Sequence, residues 1–239
     1  MRTIVIICIF AAGLSFSCKR MLDEEIHSQV NDNYLSTPEG FEDGVKAAYS
    51  TLRTFHANEL GMTMTVFGTD TYTMGSDGSY KFINEYSSQF DPRTNYVRDL
   101  WNSLYIGINT CNAVIDRAND IEGITEEQRN IRVSEARFLR AYYYFTLVQQ
   151  FGPVHLSTAE TKEPTTQASR ADITAIYQVI EDDLRTAVQY LPATQTDYGR
   201  ATKPAAEHLL ARVLLKGDVS RCERQRLCRC CCFGRRRYK

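Results

Sequence analysis

Disulfide chemistry has almost no material to work with in the body of this sequence, since seven of its eight cysteines lie at the two ends. Between Cys18 and Cys222 the only cysteine is Cys111, so the body of the chain has no pair from which to build a covalent framework. Its stability has to come from packing, and Cys111, within a predicted helix, reads as a small buried hydrophobe. Histidine is scarce too: His27, His56, His155 and His208 are far apart, and none sits in an H-E-x-x-H or comparable frame. There is no G-x-S-x-G elbow and no phosphate-binding glycine loop. Asp182 and Asp183 are adjacent on a predicted helix, so they face different directions; they cannot act as a paired acid and base, and they read as solvated surface charges. These absences leave no catalytic residue, no metal ligand and no cofactor site to expect. Long apolar runs are missing as well, since the longest, Ile4 to Phe16, falls short of the roughly 20 residues of a bilayer span.

That run is informative in another way. Arg2, the apolar stretch and small or polar residues up to Cys18 have the layout of a secretory signal peptide over residues 1–17. Leu14-Ser15-Phe16-Ser17-Cys18 resembles the lipobox of bacterial lipoproteins, in which the cysteine becomes the lipidated first residue. An ordinary signal peptide with a chance cysteine is the alternative. The formal net charge of -1 hides an asymmetry, because residues 217–239 carry eight basic and two acidic residues while the remainder carries 20 basic and 27 acidic. Seven arginines and five cysteines crowd that terminal segment, and the helical pattern stops at Lys216 without a cap or turn signal. Its adjacent Cys230, Cys231 and Cys232 do not offer zinc spacing. Nucleic-acid binding is not expected of an exported chain whose basic tail lacks an aromatic stacking platform.

Between the two ends the pattern is helical. Thr37-Pro38 opens a helix with Phe41, Val45, Ala48, Tyr49 and Leu52 on one stripe. Residues 58–92, rich in Thr, Ser, Gly, Asp and Tyr, suggest a long structured loop or short strands. A helix from about Asn95 to Asn119 follows, with Val97, Trp101, Leu104, Ile108, Cys111 and Ile115 at helical spacing. Thr125 with Gln128 predicts a capping box, and the helix it starts runs until Phe151-Gly152-Pro153 stops it. Tyr142, Tyr143, Tyr144 and Phe145 point around most of that helix, so it must be covered on several sides. After a linker over 154–169, Ser169 or Asp172 caps a further helix that ends at Leu191-Pro192. A last one begins near Thr202-Lys203-Pro204 with Leu209, Leu210, Val213 and Leu214 on one face. The expected fold class is all-α: stacked antiparallel helix pairs of the tetratricopeptide type with a long irregular loop, although no strict 34-residue repeat is visible.

Seven stretches in order resemble the N-terminal region of the SusD-like (RagB/SusD) family. They are Leu22-Asp23-Glu24-Glu25, Thr37 to Leu52, Trp101-x-x-Leu-Tyr-x-x-Ile-x-x-x-Asn112, Glu135-Ala-Arg-Phe-Leu-Arg-Ala141 with its aromatic run, Phe151-Gly-Pro, Asp183-Leu184-x-x-Ala187, and Gly199-Arg-Ala-Thr-Lys-Pro-Ala-Ala206. The resemblance covers residues 18–216. It implies a helical lipoprotein anchored in the outer membrane of a Bacteroidetes-type bacterium through Cys18 and facing outward. Such a protein binds glycans or similar nutrients and passes them to a SusC-like TonB-dependent transporter without catalysis. Lys19-Arg20 precede the acidic residues of the surface signal, and Ile26 stands where a proline is often seen. The family continues past residue 216, so the Arg- and Cys-rich tail reads as an out-of-register end to a shortened chain.

Glycan sites combine aromatic faces, on which sugar C–H groups stack, with amides and carboxylates for the hydroxyls. Asp70, Tyr72, Asp77, Tyr80 and Asn84 are the candidate ligand-binding residues, with Phe82 and Tyr86 beside them; packing of the rings onto the helices is the competing account. Glu135, Arg137 and Arg140, set among apolar residues, are expected to pair with neighbouring helices. A helical scaffold that binds only proteins is the alternative function.

Overall fold

The computed structural model describes residues 32–56, 58–73, 80–163 and 166–216. The expected signal peptide, Cys18, Asp77 and the tail 217–239 lie outside them. Contacts divide the chain into Met1–Tyr34 and Leu35–Lys239, and the second unit holds everything below. Its helices are α1 (Pro38–Ser50), α2 (Leu52–Phe55), α3 (Glu59–Thr65), α4 (Lys81–Asn84), α5 (Asn95–Arg117), α6 (Glu126–Phe151), α7 (Ile173–Tyr190) and α8 (residues 203–216). The described residues contain no strand, only an isolated antiparallel bridge between His155 and Arg170. None of the described helices is long and apolar enough to cross a membrane.

Local signals set the helix ends. The Thr37 hydroxyl accepts from the Gly40 N–H at 3.1 Å, with Pro38 at the first helical position. At α6 the capping box is complete, the Thr125 hydroxyl accepting from the Gln128 N–H and the Gln128 side chain from the Thr125 N–H, both at 3.1 Å. Gly152 ends that helix with φ 69°, a left-handed conformation that suits glycine. Of the two candidate caps for α7, Asp172 is the one used: its carboxylate accepts from the Thr174 N–H at 2.7 Å. The described residues of 58–92, expected as a long structured loop or short strands, are largely irregular with two short helices. Among them are the helices α3 and α4 and no strand, and Asn58 caps α3 by accepting from the Gly61 N–H at 3.2 Å.

A short connection after α5 and the longer segment 152–172 between α6 and α7 fold the long helices back on one another, so that α6 packs against both α5 and α7 while α1 crosses α5 and α6. Leu100, Leu104, Ile108 and Cys111 of α5 meet Leu139, Tyr143, Tyr144 and Leu147 of α6, and Ile176, Ile180 and Leu184 of α7 close the other side. The consecutive aromatics of α6 are shared among its neighbours. The Tyr143 hydroxyl donates to the Ala48 carbonyl of α1 at 2.6 Å, and the Tyr144 hydroxyl donates to the Ser157 carbonyl at 2.8 Å. Phe145 faces Tyr177 of α7. Full burial of such side chains contributes about 1.5–3 kcal/mol each. On α8 the apolar face is already used in part: Leu209 and Val213 are buried and Leu210 is half-buried, whereas Leu214 and Leu215 are exposed.

Two polar nodes fasten these helices. In the first, Asp183 of α7 is not the solvated surface charge expected beside Asp182; it is 1% exposed. It accepts from Arg140 Nε at 2.7 Å, Arg140 Nη2 at 2.8 Å and Arg137 Nη1 at 2.9 Å. Arg140 Nη1 also donates to Asn112 Oδ1 of α5 at 2.8 Å and to the Thr158 carbonyl at 3.1 Å. In the second, the fully buried Glu135 accepts from the Tyr49 hydroxyl at 2.7 Å, Arg132 Nη1 at 2.6 Å and Arg200 Nη1 at 3.1 Å. Arg200 also pairs with Glu42 and Asp197. Glu135, Arg137 and Arg140 thus pair between helices, as their setting among apolar residues predicts.

Candidate functional site

A stripe on α5 holds the extended segment after α6. Tyr105, Asn109, Asn112 and Asp116 recur at spacings of four, three and four, which places them along one helix face. The Tyr105 hydroxyl donates to the His155 carbonyl at 2.8 Å. Asn109 Oδ1 accepts from the Thr161 N–H at 2.7 Å, and Asn112 Nδ2 donates to the Ser157 and Ala159 carbonyls at 3.1 and 3.0 Å. Asp116 accepts from the Glu160 N–H at 2.7 Å, and Arg117 closes the row with a two-pronged pair to the Glu160 carboxylate at 3.0 and 2.6 Å. Side chains here do what a partner strand does in a sheet, satisfying the backbone of an extended chain. Burial, with Tyr144 beside it, keeps the Tyr105 phenol protonated well above its ordinary range.

Trp101, the one tryptophan of the sequence, stands a helical turn before that stripe. Its ring centroid lies 4.9 Å from Tyr105 and 5.1 Å from Phe151, the latter edge-on at 88°. Two concavities flank it. One, of about 580 Å³, is bordered by Trp101, Phe90 and Phe151 with Gln150, Arg98 and Arg170 among its polar lining. The other, of about 720 Å³, lies between the α5 stripe and the 155–163 segment, with Asn102, Tyr105, Asn109 and Lys162 in its wall. The first combines fixed rings with amide and guanidinium donors, the composition that sugar faces and hydroxyls require.

The residues singled out from sequence take separate positions. Asn84 is a clip: its Oδ1 accepts from the Gly68 N–H at 3.1 Å and its Nδ2 donates to the Thr73 hydroxyl at 3.1 Å. It thereby joins α4 to the stretch that carries Asp70 and Tyr72, and the Tyr86 hydroxyl adds a bond to the Gly68 carbonyl at 3.2 Å. Asp70 and Tyr72 are exposed, Tyr72 by 57%. Tyr80 is half-buried, its ring 4.6 Å from Tyr96 of α5, whose hydroxyl bonds Glu59 of α3. Asp77 lies outside the described residues. Asn84 and the Tyr72 stretch therefore come together, Tyr80 belongs to the contact with α5, and Tyr86, whose ring meets Phe90 at 6.3 Å, leads toward the Trp101 groove. That groove is absent from the sequence reading. The available signal was Trp101 with Phe151-Gly-Pro and the adjoining Gln150, but Phe90 and Arg170 join them only through the fold.

Comparison with known proteins gives a consistent result. A family model described as starch-binding, associating with outer membrane, of the SusD-like type, matches residues 21–215. SusD-like protein P2 of Formosa agariphila is 26% identical over 211 residues, covering 85% of this chain and 41% of that protein. A SusD-like protein of Bacteroides ovatus is 33% identical over 120 residues, covering 48% of this chain and 21% of its own length. Among solved structures, a laminarin-binding SusD-like protein superposes with a TM-score of 0.64 at 29% identity, over 75% of this chain and 40% of that one. A SusD homologue from Bacteroides thetaiotaomicron gives 0.64 at 27% identity, over 76% and 36%. The chain thus spans about two fifths of the length of F. agariphila P2.

Proposed function

Since the chain belongs to the SusD-like family, we propose that it serves in glycan capture at the bacterial outer membrane, lipid-anchored at Cys18 and facing outward, and that it hands oligosaccharides to a SusC-like TonB-dependent transporter without chemical conversion. The family match over residues 21–215 carries this reading. The groove beside Trp101 agrees with it, because three fixed rings offer apolar platforms while Gln150, Arg98 and Arg170 supply donors for hydroxyls. Tyr72 adds an exposed ring on the stretch clipped by Asn84, and Tyr80 is held by Tyr96.

Calorimetry of the full chain against a panel of neutral and charged oligosaccharides tests it. The expectation is measurable binding to at least one, weakened by Gln150→Ala and by the Tyr72→Ala, Tyr80→Ala double variant while the helical circular dichroism stays intact. An affinity unchanged in the double variant removes that loop from the site. Absence of binding to every saccharide in the panel refutes glycan capture and leaves the protein-binding scaffold. Stoichiometric co-purification with the neighbouring transporter is the check on delivery.

A further inference from the structure

The charges around the 580 Å³ groove are unevenly satisfied. Its lining includes one carboxylate, Asp91, and two guanidinium groups, Arg98 and Arg170. Asp91 is occupied from outside the groove lining: its Oδ1 accepts from the Arg93 N–H at 2.7 Å and its Oδ2 faces Arg93 Nε at 3.6 Å. Arg98 pairs Nε with Asp99 at 3.2 Å and donates Nη2 to Asn95 at 3.1 Å, which leaves Nη1 outside those bonds. Arg170 is exposed, its backbone pinned by the bridge to His155, and among the described residues no carboxylate pairs with it. Elsewhere on the unit the buried or nearly buried acidic side chains Asp183, Glu135 and Glu160 are each held by an arginine, Arg140, Arg200 and Arg117 respectively. The groove is thus a locally cationic place on a body whose charge outside the basic tail is negative.

Resting on the glycan-capture reading, we infer that this groove selects oligosaccharides bearing an anionic group, a uronate carboxylate or a sulfate ester, with Arg170 meeting the charge and Arg98 assisting. A guanidinium fork presents parallel N–H donors that match the two oxygens of a carboxylate or sulfate, whereas a neutral hydroxyl engages it singly. Phe90, Trp101 and Phe151 account for the saccharide, because a bare inorganic anion has no apolar face to set against three rings.

The test is calorimetry of the full chain at low salt with four probes: a neutral β-gluco-oligosaccharide, a uronate oligomer and a sulfated galactan oligomer of matched length, and inorganic sulfate. One or both anionic oligomers should bind about tenfold tighter than the neutral one, the worth of one charge-assisted contact, and added salt should erode the difference. Which of the two binds identifies the anion. Arg170→Gln, on an exposed side chain, should bring the anionic oligomer to the affinity of the neutral one, and Arg170→Lys should retain part of the preference. Neutral and anionic oligomers binding alike, a preference that survives Arg170→Gln, or inorganic sulfate binding as tightly as the sulfated oligomer would each overturn the inference while leaving glycan capture standing. Failure of every saccharide to bind would overturn both.

Discussion

Asp182 and Asp183 are adjacent aspartates of α7 with opposite surroundings. One is exposed on α7; the other lies under Arg137 and Arg140 with all three of its close donors charged. Burial disfavours the Arg140 guanidinium, but the hydrogen bonds and charge of Asp183 more than offset this and hold it above its ordinary range. Asp183→Ala should cost about 3–5 kcal/mol in urea unfolding, because it leaves Arg140 buried and uncompensated. Asp182→Ala should stay within about 0.5 kcal/mol. The buried phenols make a second prediction. Burial raises Tyr144 from 10.0 to about 12, and Tyr49, Tyr105 and Tyr143 are raised as well. Below pH 10 folded and unfolded chains both keep these protons and the stability is intact; above it the unfolded chain releases them first. The melting temperature should therefore fall steeply between pH 10 and about 12, and the share of tyrosinate absorbance that belongs to these four phenols should appear only with the loss of helical dichroism. Ionisation of all 14 tyrosines without unfolding would contradict the assigned burial.

Element by element, close approach decides where helices can cross. A Cβ added to Gly107 of α5 would stand 2.8 Å from both Thr51 Cγ2 and the Tyr143 ring, so α1, α5 and α6 meet at a point with no room for a methyl group. Alanine is favoured over glycine in a helix interior by up to about 1 kcal/mol, and overpacking opposes it with about 1–3 kcal/mol. Steric conflict should win: Gly107→Ala is expected to lower the denaturation midpoint, and an increase would mean that α6 can shift. Long helices with caps were legible because both their ends and their apolar stripes repeat over many residues. The two short helices α3 and α4 were not, since seven and four residues are too few for a period to show. The row Tyr105, Asn109, Asn112 and Asp116 was not legible either, because its partner, the 155–161 backbone, carries no matching signal.

For the whole molecule, the helical fold and the family expected from seven separated stretches agree with a family match across residues 21–215 and with superposition on SusD-like structures. Anchoring is a prediction at this scale. If Cys18 carries acyl chains, each buried methylene contributes about 0.8 kcal/mol and two or more chains hold the protein stably on a bilayer. Cys18→Ala should then move it from the membrane fraction to the soluble one and abolish palmitate labelling. Equal labelling and fractionation of the two forms would disprove lipidation at that residue.

The sequence by itself determined the helix ends at Thr37, Thr125 and Gly152, the apolar faces of the long helices, and the resemblance to a family, because these depend on residues close along the chain or on order alone. It also marked Glu135, Arg137 and Arg140 as inter-helix groups, since charges set among apolar residues need partners. Only the tertiary structure decided that Asp183, rather than Asp182, is the counter-ion of Arg137 and Arg140, because two adjacent carboxylates differ in nothing but which side of α7 meets α6. It alone gathered Phe90, Trp101, Gln150, Phe151 and Arg170, residues drawn from four separate stretches of chain, around one groove. It likewise assigned Asn84 to holding its own loop. A side chain's chemistry is written in the sequence, but what it faces is fixed by packing between segments far apart along the chain.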